Sequence, residues 1–361
     1  MREIQPGLRA ALPFWVSLAL LPLVAVAALN GGWTIALIPM AILGIVSAFD
    51  ALAGLSFDVV RAGADRRAMI WHRAILYLWA PAHLALIVAS AGVPGWPGHF
   101  ELGESLAFAA AVGAVFGTVS IAYAHELIHS RHGWERTLGT WMFISMLNGQ
   151  HATAHLAIHH RHVATPLDPS TAPLGQGFWR FLPRLLWTAF WRGLAVEAAR
   201  QRHLRRPAWH WRNPYWQYVL GALGFLLLAY GLGGAQGLLG YLVAVGFGTV
   251  LLAVADYMQH YGLSRRQLPD GRFEPVQAHH SWNAAQRVSG WLLVNAPRHS
   301  DHHQSGAKPY PELRPLKRRV APQMPVNFLL MTLLATMPTL WRLVMDRRVE
   351  AWRARHYPDG I

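Results

Sequence analysis

The sequence predicts an all-α integral membrane protein, with six transmembrane helices and a histidine-rich cap for two metal ions on the cytoplasmic side. Three observations predict this fold class. Of the 361 residues, 53% are hydrophobic and 14% are charged, whereas about 25% are charged in an ordinary soluble domain. Several uncharged stretches are long enough to cross a bilayer. The basic residues and the clustered histidines all fall on one predicted side of these stretches.

The uncharged stretches define the six spans, because a transmembrane helix needs about 20 predominantly apolar residues. Residues 10–49 contain no Asp, Glu, Lys or Arg and fit two helices joined at Asn30-Gly31-Gly32. Residues 213–255 form a second uncharged block, which the glycine-rich residues 231–237 interrupt. With two single stretches between these blocks, the predicted spans are 11–29, 33–49, 74–93, 105–124, 216–231 and 237–255.

The distribution of lysine and arginine predicts the orientation. Two of the 32 basic residues precede the first span, four lie between the second and third, eleven lie between the fourth and fifth, and fifteen follow the sixth. The positive-inside rule makes these four segments cytoplasmic. Both termini and the segments 125–214 and 256–361 are therefore expected on the cytoplasmic side of a bacterial-type inner membrane.

One further uncharged stretch and the net charge also need an interpretation. Residues 320–341 contain three prolines, and a full crossing there would place the last five arginines outside, so an interfacial or re-entrant helix is expected. The net charge of +14 is interpreted as the positive-inside bias together with attraction to membrane lipids. No nucleic-acid partner is expected. Because the sequence shows no internal repeat or low-complexity linker, residues 1–361 are treated as a single domain.

Nine of the 20 histidines form clusters on the predicted cytoplasmic side. The clustered residues are His125, His129, His155, His159, His160, His260, His299, His302 and His303. Positions three or four residues apart share one face of a helix. Three pairs are therefore each expected to reach a common metal ion: His125 with His129, His155 with His159, and His299 with His302. One tetrahedral zinc takes only four ligands, so two ions with four or five imidazoles each would account for all nine. Imidazole suits iron, zinc, copper and nickel alike, so the metal stays open.

The other eleven histidines receive a structural interpretation. An isolated histidine is more often a surface or packing residue, and six fall in this class: His72, His83, His99, His203, His210 and His356. Five lie near the clusters in the sequence and are expected to hydrogen-bond around the ligands: His132, His151, His162, His279 and His280.

Two other classes of function compete with a di-metal enzyme. The motif His125-Glu126-Leu127-Ile128-His129 also fits a zinc metalloprotease with Glu126 as general base, but that site needs only one further ligand and leaves most clustered histidines unexplained. A metal transporter would place its ligands within the spans, where His83 is the only candidate. The absence of cysteine excludes cysteine-ligated iron–sulfur centres and thiol nucleophiles.

The residues around the clusters carry a resemblance to a known family. The motif Arg298-His299-Ser300-Asp301-His302-His303 is similar to the family's last histidine box, and residues 159–169 are similar to its second box and the segment that follows. His260-Tyr261-Gly262-Leu263 and His280-Ser281-Trp282-Asn283 are similar to its third-box region. Over roughly residues 105–350, the chain resembles the membrane-bound alkane 1-monooxygenases, the related xylene monooxygenase hydroxylase subunits and, more distantly, the fatty-acid desaturases.

This resemblance implies a six-span helical membrane fold in which the nine clustered histidines bind two iron ions in a non-haem di-iron centre. It also implies that O2 is used to hydroxylate the terminal methyl carbon of a hydrocarbon that enters from the bilayer, as in the conversion of an n-alkane to a 1-alkanol. The electrons would come from a rubredoxin and its NAD(P)H-dependent reductase. Because the chain has no cysteine, the rubredoxin is expected to be a separate protein.

Four carboxylates are expected to lie near such a centre. Two ferrous ions on neutral imidazoles leave about +4 of charge at the membrane face, and uncompensated charge there is costly. Glu126, Asp168, Asp256 and Asp301 are candidates to orient imidazole N–H groups. Asp168, between two prolines, also fits a plain turn residue. None of the four is assigned as a ligand or a general base.

The substrate stays open at the level of sequence. The chain departs from alkane hydroxylases at Ser130, Ala154, Asp256 and Gln259, although no ligand is lost. The stretch 310–325 is similar to the xylene branch, so hydroxylation of a methyl group on an alkylaromatic, or desaturation of a lipid, are alternatives. A bulky side chain is expected to close the far end of an apolar channel, and the candidates are Met40, Phe49 and Trp79.

Overall fold

The computed structural model describes residues 1–65 and 67–360. Arg66, one of the four basic residues expected between the second and third spans, lies outside the described residues. The helices are α1 (Leu8–Asn30), α2 (Gly32–Ala53), α3 (Ile70–Gly95), α4 (Leu102–Ile128), α5 (Gly133–Ser145), α6 (151–162), α7 (Phe178–His203), α8 (Pro214–His260), α9 (Arg287–Leu292), α10 (His299–Gln304), α11 (Phe328–Ala335) and α12 (Pro338–His356). Five of them, α1 to α4 and α8, are long and apolar enough to cross a membrane.

The longest helix, α8, is a hairpin of two spans. Its 47 residues would extend about 70 Å if straight, but the backbone leaves the helical conformation at Gly233 and at Gly234, where φ is +60°. Gly233 packs against Ala91 near the end of α3. At the opposite end of the bundle, Tyr218 Oη lies 3.0 Å from Thr153 Oγ1, in the helix that carries His155. His260 Nε2 lies 2.9 Å from His299 Nε2 at the same end. The break at Gly233 and Gly234 therefore divides α8 into the fifth and sixth spans. The predicted six-span architecture is confirmed.

The spans approach one another closely where the sequence supplies glycine. A Cβ atom on Gly240 would lie 2.6 Å from the carbonyl oxygen of Ser90, and one on Gly113 would lie 2.5 Å from that of Ala244. Helices in a membrane depend on such contacts because lipid tails compete equally well for apolar side chains. These glycines hold α3 and α4 against the second half of α8, whose last residue is His260.

Replacing Gly240 with valine is expected to destabilise the protein by about 1–3 kcal/mol, because the added atoms must displace backbone. A thermal unfolding measurement in detergent should show a lower midpoint than for the wild type. Gly246→Val is the matched control, since a Cβ at Gly246 meets open space on the same span. Equal midpoints for the two variants would contradict the packing argument.

Several features differ from or refine the sequence expectations. The fold is not purely helical, because β1 (Arg2–Ile4) pairs in parallel with β2 (Asp58–Val60). Met40 and Phe49 are 60% and 54% exposed on the outside of the bundle, so the expectation that they close an internal channel is wrong; Trp79 is fully buried. The apolar stretch near residue 330 forms α11 and α12, which meet at a 120° bend, as a re-entrant segment requires.

Helix α7 lies along one side of the bundle and was not predicted as a separate element. Its 26 residues include five arginines and several exposed large apolar side chains, which are Trp179, Leu186, Trp187 and Trp191. It is too polar to count among the membrane-crossing helices. Exposed tryptophans beside basic residues are typical of a helix that lies in the membrane interface.

Candidate metal centre

The structure brings all nine clustered histidines together in two adjacent groups. The first group contains His125, His129, His155, His160 and His302, and the second contains His159, His260, His299 and His303. Within each group the candidate ligand nitrogens lie within 4.8 Å of one another. The groups adjoin directly, since the ring centroids of His160 and His303 are 4.7 Å apart. The rings come from the ends of α4 and α8 and from the cap helices α6 and α10.

The partition corrects two of the three expected pairs. Residues 155–159 form a π-helical turn, and this wider turn brings His155 onto the same face as His160 while His159 points to the other group. In α10, the Nε2 atoms of His299 and His303 lie 2.9 Å apart in the second group. His302, on the same helix, belongs to the first group. The expectations that His155 shares an ion with His159, and His299 with His302, are therefore wrong. Only His125 and His129 fall in one group as expected.

The geometry of the rings fits metal ions. Seven Nε2–Nε2 distances within the two groups lie between 2.8 and 3.2 Å. Two nitrogens bound at right angles to one ion at about 2.1 Å are about 3.0 Å apart. Burial lowers the pKa of His129 and of His299 to about 3, and it lowers the pKa of His302 and of His303 well below the usual value. These four rings are therefore neutral, with lone pairs free to bind metal.

Asp168 is in direct contact with the second group. Its Oδ2 accepts a hydrogen bond from Nδ1 of His159 at 2.9 Å, and both side chains are buried. Burial alone would lower the pKa of His159, but the charge of Asp168 and this hydrogen bond outweigh it and raise the pKa. Thr171 Oγ1 and the backbone N–H of Ser170 donate to the same carboxylate. With Nδ1 carrying the proton, Nε2 of His159 faces the other rings as an acceptor.

The other three candidate carboxylates make different contacts. Asp301 accepts hydrogen bonds from Lys308 Nζ at 2.6 Å and from the backbone N–H and Nε of Arg314. Asp256 accepts from Ser170 Oγ at 3.1 Å, and Glu126 accepts from the backbone N–H of Tyr310 at 3.1 Å. These hydrogen bonds hold the segments around the two groups in place. Their partners within the described residues are not among the nine clustered histidines.

Two further residues lie against the first group: His151, which was expected to hydrogen-bond around the ligands, and Gly306, which was not singled out from the sequence. The half-buried ring of His151 stacks on that of His155, with centroids 5.1 Å apart and planes 24° apart. Gly306 covers the group from the cap side, because a Cβ there would lie 3.1 Å from His160 and 3.4 Å from His129. The sequence signal for His151 was its position four residues before His155, which places both on one helix face. The sequence around Gly306 carries no signal that this residue lies against the histidines.

A third cluster of potential ligands, Glu274, His279 and His280, is better explained by hydrogen bonds. The backbone N–H of Gln277 donates to Nδ1 of His280 at 2.9 Å, and burial lowers the pKa of this ring to about 3. The single proton of the neutral ring must then sit on Nε2, which lies 2.7 Å from Tyr357 Oη. A protonated nitrogen has no lone pair for a metal. The expectation that His279 and His280 hydrogen-bond around the ligands is therefore wrong, because both rings contact Tyr357, the residue that follows α12.

Comparison with known proteins agrees with this arrangement. A family model described as Fatty acid desaturase matches residues 104–335. Alkane 1-monooxygenase 2 of Pseudomonas aeruginosa is 33% identical over 320 residues, which cover 87% of this chain and 83% of the relative. Alkane 1-monooxygenase 1 of Alcanivorax borkumensis is 30% identical over 89% of this chain and 80% of its own length. The xylene/toluene monooxygenase hydroxylase component XylM of Pseudomonas putida is 30% identical over 73% of this chain and 70% of its own length.

Proposed function

The chain belongs to the fatty acid desaturase family, and on that premise we propose that it is a non-haem di-iron monooxygenase that converts an n-alkane to a 1-alkanol. The net reaction takes one hydrocarbon, one O2, two electrons and two protons, and it yields the alcohol and one water. We assign the nine histidines of the two groups as the ligands of two iron ions. The observation that carries this proposal is the convergence of nine buried or half-buried imidazoles in sets of five and four.

The residues of the chain position the reaction. When bound, the two iron ions supply the redox chemistry that activates O2 and the C–H bond. Asp168 fixes the tautomer and the orientation of His159. Asp301, held by Lys308 and Arg314, anchors α10, which carries three of the ligands. Because His125 lies in the last turn of the membrane-spanning helix α4, an apolar substrate can reach the centre from the bilayer without crossing water.

We propose that electrons arrive from a separate rubredoxin and its NAD(P)H-dependent reductase. The relatives are monooxygenases, and a monooxygenase needs an electron donor. This 361-residue chain has no cysteine with which to hold a rubredoxin centre. We place the cap and both termini in the cytoplasm, and the protein in a bacterial-type inner membrane, because the 32 basic residues all lie outside the opposite loops. On this proposal residues 1–361 act as one hydroxylase domain.

An alkylaromatic substrate is the second candidate, supported by the similarity to the XylM protein. A lipid desaturase is the third, since the family model is named for that activity. A zinc metalloprotease is disfavoured by two observations. Glu126 binds the backbone of Tyr310 and lies outside both ligand groups, and His125 and His129 share their group with three further histidines.

A product assay tests the proposed function. Cells that express this chain with a rubredoxin and its reductase would receive n-octane and p-xylene together under ¹⁸O2. Labelled 1-octanol is the expected product. Labelled 4-methylbenzyl alcohol alone would move the protein to the xylene branch, and an unsaturated lipid without either alcohol would make it a desaturase. Iron-loaded protein that forms none of the three products would overturn the assignment of function.

Replacing Trp79 with alanine is expected to shift the preferred substrate towards longer chains. Trp79 is buried and donates from Nε1 to Ser120 Oγ at 2.9 Å, and Ser120 lies about 7.5 Å along α4 from His125. We propose that this indole closes the apolar path below the metal centre. The measurement is a competition between alkanes of different length. Trp79→Phe, which keeps most of the volume, is the control, and an unchanged preference in Trp79→Ala would contradict the proposal.

A further inference from the structure

A positively charged cavity lies beside β1 and the start of α1, and its described lining contains none of the nine clustered histidines. Its volume is about 420 Å³. The charged residues in its described lining are Arg2, Arg9, Asp58, Arg287 and Arg298. Four arginines and one aspartate give this lining a formal charge of +3. The arginines come from β1, α1, α9 and the residue before α10, so the fold assembles them from distant parts of the sequence.

Asp58 balances only part of this charge. Its carboxylate lies 2.8 Å from Arg2 and 3.4 Å from Arg287. Arg298 is 95% buried, and its hydrogen bonds go to the backbone oxygens of Asp58 and Leu313, at 2.9 and 2.7 Å, and more weakly to Ser56. Neutral oxygens satisfy its N–H groups, and the carboxylates of Asp58 and Asp301 act on its charge only without a direct hydrogen bond. Arg9 is exposed at the rim of the cavity.

The cavity also marks the boundary of an apolar surface. Leu8 and Leu12 flank Arg9 on α1 and are 42% and 49% exposed. Leu55, whose carbonyl oxygen accepts from Arg287, is 48% exposed. Exposed leucines on a membrane-crossing helix next to arginines place the cavity at the level of lipid headgroups.

We propose that this cavity binds a phosphate-bearing anion through Arg9 and Arg287, with the buried Arg298 in its inner wall. The phosphodiester of an anionic phospholipid and a free phosphate share this chemistry. A phospholipid would add contacts between its chains and the leucines of α1. The proposal is independent of the enzymatic activity, because none of the cavity's lining residues is assigned to bind metal.

Native mass spectrometry of the purified protein, titrated with phosphatidylglycerol, tests the proposal. Wild type is expected to retain one phosphatidylglycerol that Arg9→Gln/Arg287→Gln binds roughly tenfold to thirtyfold more weakly. Arg180→Gln/Arg202→Gln removes the same charge from exposed positions of α7 and should behave as wild type. Displacement of the lipid by inorganic phosphate would identify free phosphate as the ligand, and retention would identify the lipid.

Two further measurements keep the result interpretable. Arg9→Lys/Arg287→Lys preserves the charge and is expected to restore most of the binding, and the metal content of each variant reports whether the cap has folded. Equal affinity of wild type and Arg9→Gln/Arg287→Gln for both phosphatidylglycerol and phosphate would overturn the proposal. So would equal weakening in the α7 control, because it would show a general charge effect.

Discussion

Replacing His303 with alanine is expected to abolish product formation and to reduce bound iron from two ions towards one per chain. His303 belongs to the group of four, so its loss leaves three imidazoles for that ion. Loss of an outer partner of a ligand already costs up to about a hundredfold in metal affinity or activity, and loss of the ligand itself should cost more. Iron content by mass spectrometry and the labelled-alcohol assay measure the two effects separately.

The two groups predict different behaviour for equivalent substitutions. His160→Ala should also abolish turnover, but four imidazoles remain in its group, so its iron content should fall less than that of His303→Ala. His203→Ala, at the exposed end of α7, is the matched control and should retain both iron and activity. Normal turnover in either His303→Ala or His160→Ala would rule out the di-iron assignment.

The second large effect is expected for Asp168→Asn. The substitution removes the charge that holds His159 with its proton on Nδ1, and activity should fall by about 10- to 100-fold. Competition with a chelator is expected to show weaker binding of only one of the two ions, because Asp168 contacts the second group alone. Asp270→Asn, whose carboxylate pairs with Arg272 on the surface, is the control. Equal loss of both ions in Asp168→Asn would indicate a general structural defect instead.

The six spans were predictable because the sequence separates apolar and charged residues along the chain. The residues 10–49 and 213–255 each contain a glycine-rich break, and each break became a turn between helices. β1 was not predictable, because a three-residue strand that pairs 56 residues away leaves no periodic signal. Met40 and Phe49 failed as channel residues because the sequence does not distinguish a side chain that faces lipid from one that faces the bundle.

The nine histidines could be singled out, but their partition could not. Spacing arguments assume 3.6 residues per turn, and they therefore paired His155 with His159. The π-helical turn changes this period locally, and the sequence 155–160 carries no mark of it. The contact of Asp168 with His159 was one of four proposed carboxylate contacts, and it depends on a turn closed by Thr171 and Ser170.

The π-helical turn has a consequence for how the protein takes up its metals. His159 and His160 are consecutive residues, yet they belong to different groups, so on the proposed di-iron assignment a single turn of backbone would be shared by both ions. Binding of the first ion would immobilise this turn, and the loss of conformational entropy would weaken that first binding step. The second ion would then bind to a ring that is already oriented, so its binding would lose less entropy. Iron loading of the wild type should therefore be positively cooperative: a titration followed by native mass spectrometry should show less of the one-iron species than two independent sites would give, whereas His303→Ala, which lacks a ligand of the second group, should accumulate it.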